Sequence, residues 1–363
     1  MLPLVNEPYL TLKPYVPGKP VSETERELGI SGCVKLASNE NPLGPSPKAV
    51  EAVRAAASSL HDYPDGGAFY LKRRLAEFLD VGTDQLIVGN GTNEILEMIF
   101  RTVLRPGENT IYSQASFIVY KLCPMAMGAE IREVPTLNMG YDLNAMADAV
   151  DENTKLIFIA NPNNPTGTYV SASELDGFLE KVPEHVLVVL DEAYFEYVSA
   201  EDYPNGLEYL NKRERIMVTR TFSKCYGLAG LRIGYGVASP SLIDFLNRGR
   251  QPFNVNSLAQ IGAMAAIDDT EHVERTVALN RAEMDRLVPQ LEALGLGVTP
   301  SQANFVLADF RRDGADLFQT LLQKGVIVRP MAGYGLPHSA RITLGTVEQN
   351  DKLLGVLREV LGS

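Results

Sequence analysis

The sequence predicts an α/β fold: a mostly parallel sheet sandwiched by helices, joined to a smaller α+β domain. Two observations carry this. Short, almost wholly apolar runs alternate with longer amphipathic stretches through the middle of the chain, as strands covered on both faces do. The last third then changes character, to one long helical stretch followed by short strands and a closing helix.

Taken in order, "MLPLVNEPYLTLKPYVPGKP" is broken by prolines where a secretory signal needs an unbroken apolar run. Residues 1–47 are read as an arm that also belongs to the small domain, 48–250 as the large domain, and 251–363 as the small C-terminal domain. "QLIVGN" (85–90) is a buried strand, and "TNEILEMIFRTVL" (92–104) a helix entered through a Gly-Thr-Asn turn. "KLIFIANP" (155–162), "VLVVLDEAY" (186–194), "RIMVTRTF" (215–222) and "IGYGVAS" (233–239) are further strands, and "SASELDGFLEKV" (171–182) is a helix between two of them. Beyond them, "VERTVALNRAEMDRLVPQLEAL" (273–294) is a long amphipathic helix. "ANFVLADF" and "GVIVRP" are short strands, and "VEQNDKLLGVLREVL" closes the chain as a helix.

Composition limits the function classes. With 363 residues, 45% of them hydrophobic, the chain can bury a large core. A net charge of −12 argues against a nucleic-acid partner, which calls for clustered excess Lys and Arg. No stretch approaches the ~20 apolar residues of a membrane span, so a cytoplasmic location is expected. The three cysteines, Cys33, Cys123 and Cys225, are too few and too widely spaced for a disulfide framework or metal site, and are read as reduced thiols. His61, His185, His272 and His338 fall in no triad or metal spacing and are read as surface or turn residues, so no metal is expected.

Polar residues collect where apolar strands end: Asn164, Asp191, Tyr194, Thr221, Ser223 and Lys224. Open α/β sheets bind ligands at that edge. Lys224, in "TRTFSKCYGLAGLRIGY", lies among small and hydroxyl residues. It is either a surface lysine or an amine of lowered pKa able to form a Schiff base with an aldehyde. The aldehyde cofactor held that way is pyridoxal 5'-phosphate, which has further needs. Its phosphate requires hydroxyls, an arginine and a helix N-terminus, which Thr221, Ser223, Arg232 and the backbone around Gly91, Thr92 and Asn93 supply. Its ring nitrogen requires a carboxylate, for which Asp191 stands at the tip of an apolar run; an Asp there serves equally as a helix cap. Its phenolic oxygen requires donors, and Tyr194 in "DEAY" and Asn164 in "NPNNPTG" provide them, although the Asn-Pro and Pro-Thr-Gly steps form a turn in any case.

In this order along one chain, "NPNNPTG", "DEAY" and "TFSK…GLAGLRIGY" resemble the fold-type-I pyridoxal-phosphate aminotransferases, from about residue 15 to the end. "LKPYVPGKP", "LASNENPLGPSP", "YPDG", "GNGTNEI", "QPFNVNSLAQ" and "VRPMAGYG…ARITLGT" narrow the resemblance to the histidinol-phosphate aminotransferase family. The resemblance implies that Lys224 carries the cofactor and moves the substrate's α-proton, with Asp191 at the ring nitrogen and Asn164 and Tyr194 at the phenolic oxygen. Phe117 in "ASFIVY" stands where the family stacks an aromatic on the ring, usually a tyrosine. Tyr63 matches a tyrosine reaching the cofactor phosphate from a neighbouring subunit, which implies a homodimer with composite sites. Arg341 matches the arginine that grips the substrate's anionic end, and Tyr15, Asn39 and Arg329 map to the substrate pocket; an ion pair at a strand end is the other reading of Arg341. The implied reaction converts L-histidinol phosphate and 2-oxoglutarate to imidazole acetol phosphate and L-glutamate, in histidine biosynthesis.

Three other readings remain. One is an aromatic amino acid aminotransferase, in which Phe117, Tyr15 and Tyr120 form a pocket for a benzene ring. Another is a phosphothreonine-type decarboxylase. The third is a cofactor-binding regulatory module, which such chains form when fused to a basic DNA-binding domain that this sequence lacks.

Overall fold

The computed structural model describes residues 4–5, 7–10, 12, 20–312 and 314–362. Its larger sheet has seven strands in the order Leu86–Gly89, Gly234–Ala238, Ile216–Thr221, Leu187–Asp191, Thr154–Ala160, Asn109–Ser113 and Glu130–Val134. All neighbours run parallel except Gly234–Ala238, which is antiparallel to both of its partners.

Alternation along the central strands explains why they read as continuous apolar runs. Leu156 and Phe158 pack on one face with Ile95, Ile99 and Phe100 of the helix Thr92–Val103. Ile157 and Ile159 pack on the other with Leu175 and Phe178 of the helix Ala172–Lys181. Both faces are therefore dry, and each such side chain contributes about 1.5–3 kcal/mol by leaving water. The helix Ala172–Lys181 starts where Ser171 and Glu174 cap it reciprocally.

Asn109–Ser113 and Glu130–Val134 are strands that the apolar-run criterion passes over. The first opens on Asn109 and Thr110, both buried, with the Asn109 side chain donating to Asp151 at 3.0 Å. The second is an edge strand, mostly exposed or half-buried and rich in charge, as edges are.

The smaller sheet is antiparallel, ordered Arg329–Pro330, Ser339–Thr343, Phe305–Asp309 and Gly297–Thr299. "GVIVRP" forms two short strands instead of one: Val326–Ile327 leaves this sheet to pair in parallel with Val34–Lys35. Leu36 enters the core between this sheet and the helices Thr270–Ala293, Gly314–Gln323 and Val347–Leu361. The helix Ser257–Ile267 packs against Leu71, Leu75 and Val237 beside the larger sheet.

No helix among the described residues is long and apolar enough to cross a membrane. Cys33, Cys123 and Cys225 are all free thiols. The surface or turn reading fails for His272: it lies in the first turn of the helix Thr270–Ala293 and is buried, its Nε2 3.3 Å from Asn41 Nδ2. The helix start is packed onto the Asn41 loop, whose amide also donates to Thr276 and to the Cys225 carbonyl.

Candidate active site

Parallel strands end at a common edge, and the polar residues past those ends meet there. Asp191 and Thr221 are the last residues of their strands, and Asn164 lies in the loop that follows Ala160. They line a cavity of about 210 Å³ together with Thr92, Asn93, Phe117, Tyr194, Ser223, Lys224 and Arg232. A second cavity of about 420 Å³ shares Asn93, Phe117, Asn164, Tyr194 and Lys224, and adds Asn39, Arg329 and Arg341. Of the sequence-predicted residues, Gly91 and Tyr63 line neither cavity; Tyr63 is 82% exposed and stacks on Phe253 at 4.8 Å. Tyr15 lies outside the described residues.

One end of the first cavity is the start of the helix Thr92–Val103. Gly91 precedes it at φ +75°, and a Cβ there would lie 2.5 Å from Arg232 Nη2. Gly234 similarly lets the Thr92 amide approach, to 2.8 Å from where its Cβ would be. A helix N-terminus, the Thr221 and Ser223 hydroxyls and the Arg232 guanidinium therefore surround one small volume, a donor set suited to a dianion.

Lys224 Nζ donates to the Ser38 carbonyl at 3.2 Å and lies 5.9 Å from the centre of the Tyr194 ring. Burial, reinforced by the positive charge of Arg341, brings its amine down to about 7 from an ordinary 10.5. Much of it is thus neutral and nucleophilic near neutral pH.

Asp191, 4% exposed, accepts from Tyr120 Oη at 2.6 Å and from Thr219 Oγ1 at 3.0 Å. Burial pushes its carboxyl up, and those hydrogen bonds oppose the shift. No lysine or arginine pairs with it among the described residues. Tyr120 belongs to this arrangement and not to a substrate pocket: it is fully buried, stacked on Phe158 at 4.7 Å, and lines neither cavity. An aromatic that reads as pocket lining is in fact held behind the carboxylate.

The Tyr194 hydroxyl accepts from Asn39 Nδ2 at 2.8 Å, and burial raises it to about 12. Asn39, buried in a left-handed conformation, is itself fixed by Thr343, whose Oγ1 accepts from the Asn39 amide at 2.9 Å. Arg341 Nη1 donates to Asn164 Oδ1, which leaves Asn164 Nδ2 as the donor, and Nη2 donates to the Ala37 carbonyl at 2.7 Å. Arg329 stands directly opposite Arg341 on the adjacent strand, so two guanidinium-bearing residues share one face of the small sheet.

Sequence reasoning missed Ile118, Val119, Leu122 and Cys123, the apolar wall of the second cavity, and Tyr334. The run "IVYKLC" carries the helical signal, but not which face meets the cavity. It also missed Arg220 and Glu192, a buried pair at 2.7 Å beneath the site, with Arg220 lying over the Phe195 ring at 3.5 Å.

Residues 31–357 match the model of the family "Aminotransferase class I and II". The chain is 50% identical over 361 residues to a histidinol-phosphate aminotransferase of Moorella thermoacetica, covering 99% of this chain and 94% of that one. It is 52% identical over 352 residues to histidinol-phosphate aminotransferase 2 of Pseudomonas fluorescens, covering 96% and 95%. The crystal structure of the Sinorhizobium meliloti histidinol-phosphate aminotransferase in complex with pyridoxal-5'-phosphate superposes with a TM-score of 0.91 at 28% identity, covering 100% of this chain and 98% of that one.

Proposed function

The chain belongs to the class I and II aminotransferases, and within them to the histidinol-phosphate aminotransferases, and we propose that it converts L-histidinol phosphate and 2-oxoglutarate to imidazole acetol phosphate and L-glutamate in histidine biosynthesis. The observation that carries this is the pairing, in one cavity, of a depressed lysine amine with a buried carboxylate that no lysine or arginine among the described residues neutralises.

Those residues fit pyridoxal 5'-phosphate. Asp191, a buried carboxyl held by neutral donors and with no lysine or arginine partner among the described residues, suits a ring nitrogen that carries a proton. Thr92, Asn93, Thr221, Ser223 and Arg232 would hold the phosphate, Asn164 Nδ2 and Tyr194 Oη the phenolic oxygen, and Phe117 one face of the ring. When bound, the cofactor supplies an aldehyde for amines and a ring that withdraws electrons from the neighbouring carbon. Lys224 Nζ, freed by the incoming amine, would accept the proton from the substrate's α-carbon and donate it to the carbon of the former aldehyde. Phe117 would keep the stacking and lacks the hydroxyl of the family's usual tyrosine, so no role of that hydroxyl carries over.

The substrate's ends are told apart by the second cavity. Arg341 and Arg329 bind the anion, which is a carboxylate in glutamate and a phosphate in histidinol phosphate; a guanidinium fork accepts either. Ile118, Val119 and Leu122 provide the apolar wall for the imidazole side.

The exposed apolar side chains of Leu60, Tyr63, Phe69, Tyr70 and Phe253 support a homodimer in which Tyr63 reaches the partner's phosphate site. A cytoplasmic location is part of the same proposal. The proposed division is an arm at 1–47, a large domain at 48–250 and a small domain at 251–363; within the last, Val255, Ala259, Ala263, Ala266 and Ile267 pack with the core beside the larger sheet.

The test is a set of half-reactions. Holoprotein is mixed separately with L-histidinol phosphate, L-phenylalanine and L-glutamate, and the cofactor absorbance is followed. Efficient conversion by histidinol phosphate and glutamate is expected. Phenylalanine matching histidinol phosphate would make the protein an aromatic aminotransferase. Mixed dimers of Tyr63→Phe and Lys224→Ala subunits test the shared site, and independent behaviour of the two subunits would remove it.

A further inference from the structure

We infer that Tyr120 is a positioning residue: its hydroxyl holds the Asp191 carboxylate in place and in its ionised form, so that the proton between Asp191 and a bound pyridine ring stays on the ring nitrogen. This rests on the cofactor reading above.

The geometry is specific. Each Asp191 oxygen has one side-chain donor, Tyr120 Oη on Oδ2 at 2.6 Å and Thr219 Oγ1 on Oδ1 at 3.0 Å. Both donors are neutral and buried, so they stabilise negative charge without cancelling it. A lysine or arginine in their place would neutralise the carboxylate and remove its pull on a ring cation. With no donor at all, a carboxylate at this depth would take the proton itself.

The phenol has little freedom to move away. Its ring is stacked on Phe158 at 4.7 Å and 16°, and meets Phe117 edge-on at 5.8 Å and 87°. Phe117 lines the cavity, so one packed unit sets both the stacking face and the carboxylate. Tyr120→Phe keeps that packing and removes only the oxygen.

The experiment uses apoprotein reconstituted with ¹⁵N-labelled pyridoxal 5'-phosphate. For Tyr120→Phe, the cofactor dissociation constant is expected to rise about tenfold, the scale of one hydrogen bond to a charged group. The ring-nitrogen resonance is expected to move downfield toward the free-base position. Tyr120→4-aminophenylalanine, which keeps a donor on the same ring, is expected to restore both. An unchanged dissociation constant and resonance in Tyr120→Phe would overturn the inference, as would a loss that the amino variant does not rescue. A wild-type apoprotein that takes up no cofactor would overturn the functional reading itself, and this inference with it.

Discussion

Replacing Lys224 by methionine in the apoprotein should stabilise the fold, and by an amount that depends on pH. The folded chain holds the Lys224 proton only below about 7, whereas the ordinary value is 10.5. Between those values the unfolded chain binds a proton that the folded chain does not, so stability rises with pH across this window. Below about 7 the cost of the buried ammonium is fully present, and above 10.5 it is gone. At 1.36 kcal/mol per tenfold, the displacement has a ceiling of about 4.8 kcal/mol. Lys224 is only partly buried and opens onto the cavity, so solvent screening brings the expected figure to about 2–3 kcal/mol. Urea unfolding of the two apoproteins from pH 6.5 to 9.5, at constant ionic strength, measures it. Lys224→Met is expected to be the more stable at pH 6.5, with the gap closing steadily as pH rises. A gap that stays flat, or widens with pH, would refute the idea that burial depresses this amine.

Other perturbations address the rest of the site. Gly91→Ala forces a side chain into a left-handed conformation and against Arg232, so cofactor should be lost on dialysis and the apoprotein destabilised by about 1–2 kcal/mol; full retention would show that this turn does not shape the phosphate site. Glu192→Gln leaves the buried Arg220 guanidinium without its countercharge, and urea unfolding should register a loss of about 3 kcal/mol. A loss below about 0.5 kcal/mol would mean that Asn205 and the Phe195 ring are sufficient partners. Arg341→Lys keeps the charge but not the fork, and steady-state kinetics should show KM for both glutamate and histidinol phosphate rising about tenfold or more; an unchanged KM for either would place that substrate's anion elsewhere.

The first cavity's lining was legible because its residues are tied to strand ends. A run such as "VLVVLD" announces both a buried strand and the carboxylate that terminates it, since a charge at that depth needs a reason. "GNGTNE" announces a helix start in the same way, through a glycine that alone tolerates φ +75° without strain. The edge strand Glu130–Val134 was not legible, because half of it faces water and its pattern is that of a polar surface. His272 was misread because an isolated histidine carries no periodicity, and only the packing of its helix on the Asn41 loop buries it.

By itself, the sequence determined the α/β class, the central strands and which lysine, carboxylate, hydroxyls and helix start gather at the strand ends, since hydrophobic periodicity and strand-end polarity are local signals. Tertiary structure alone decided which distant groups complete them: Tyr120 behind Asp191, Asn39 on Tyr194, Arg341 on Asn164. Those partners are separated by 71, 155 and 177 residues. Their contact depends on how two sheets and the segment bridging them pack, and no local pattern encodes that.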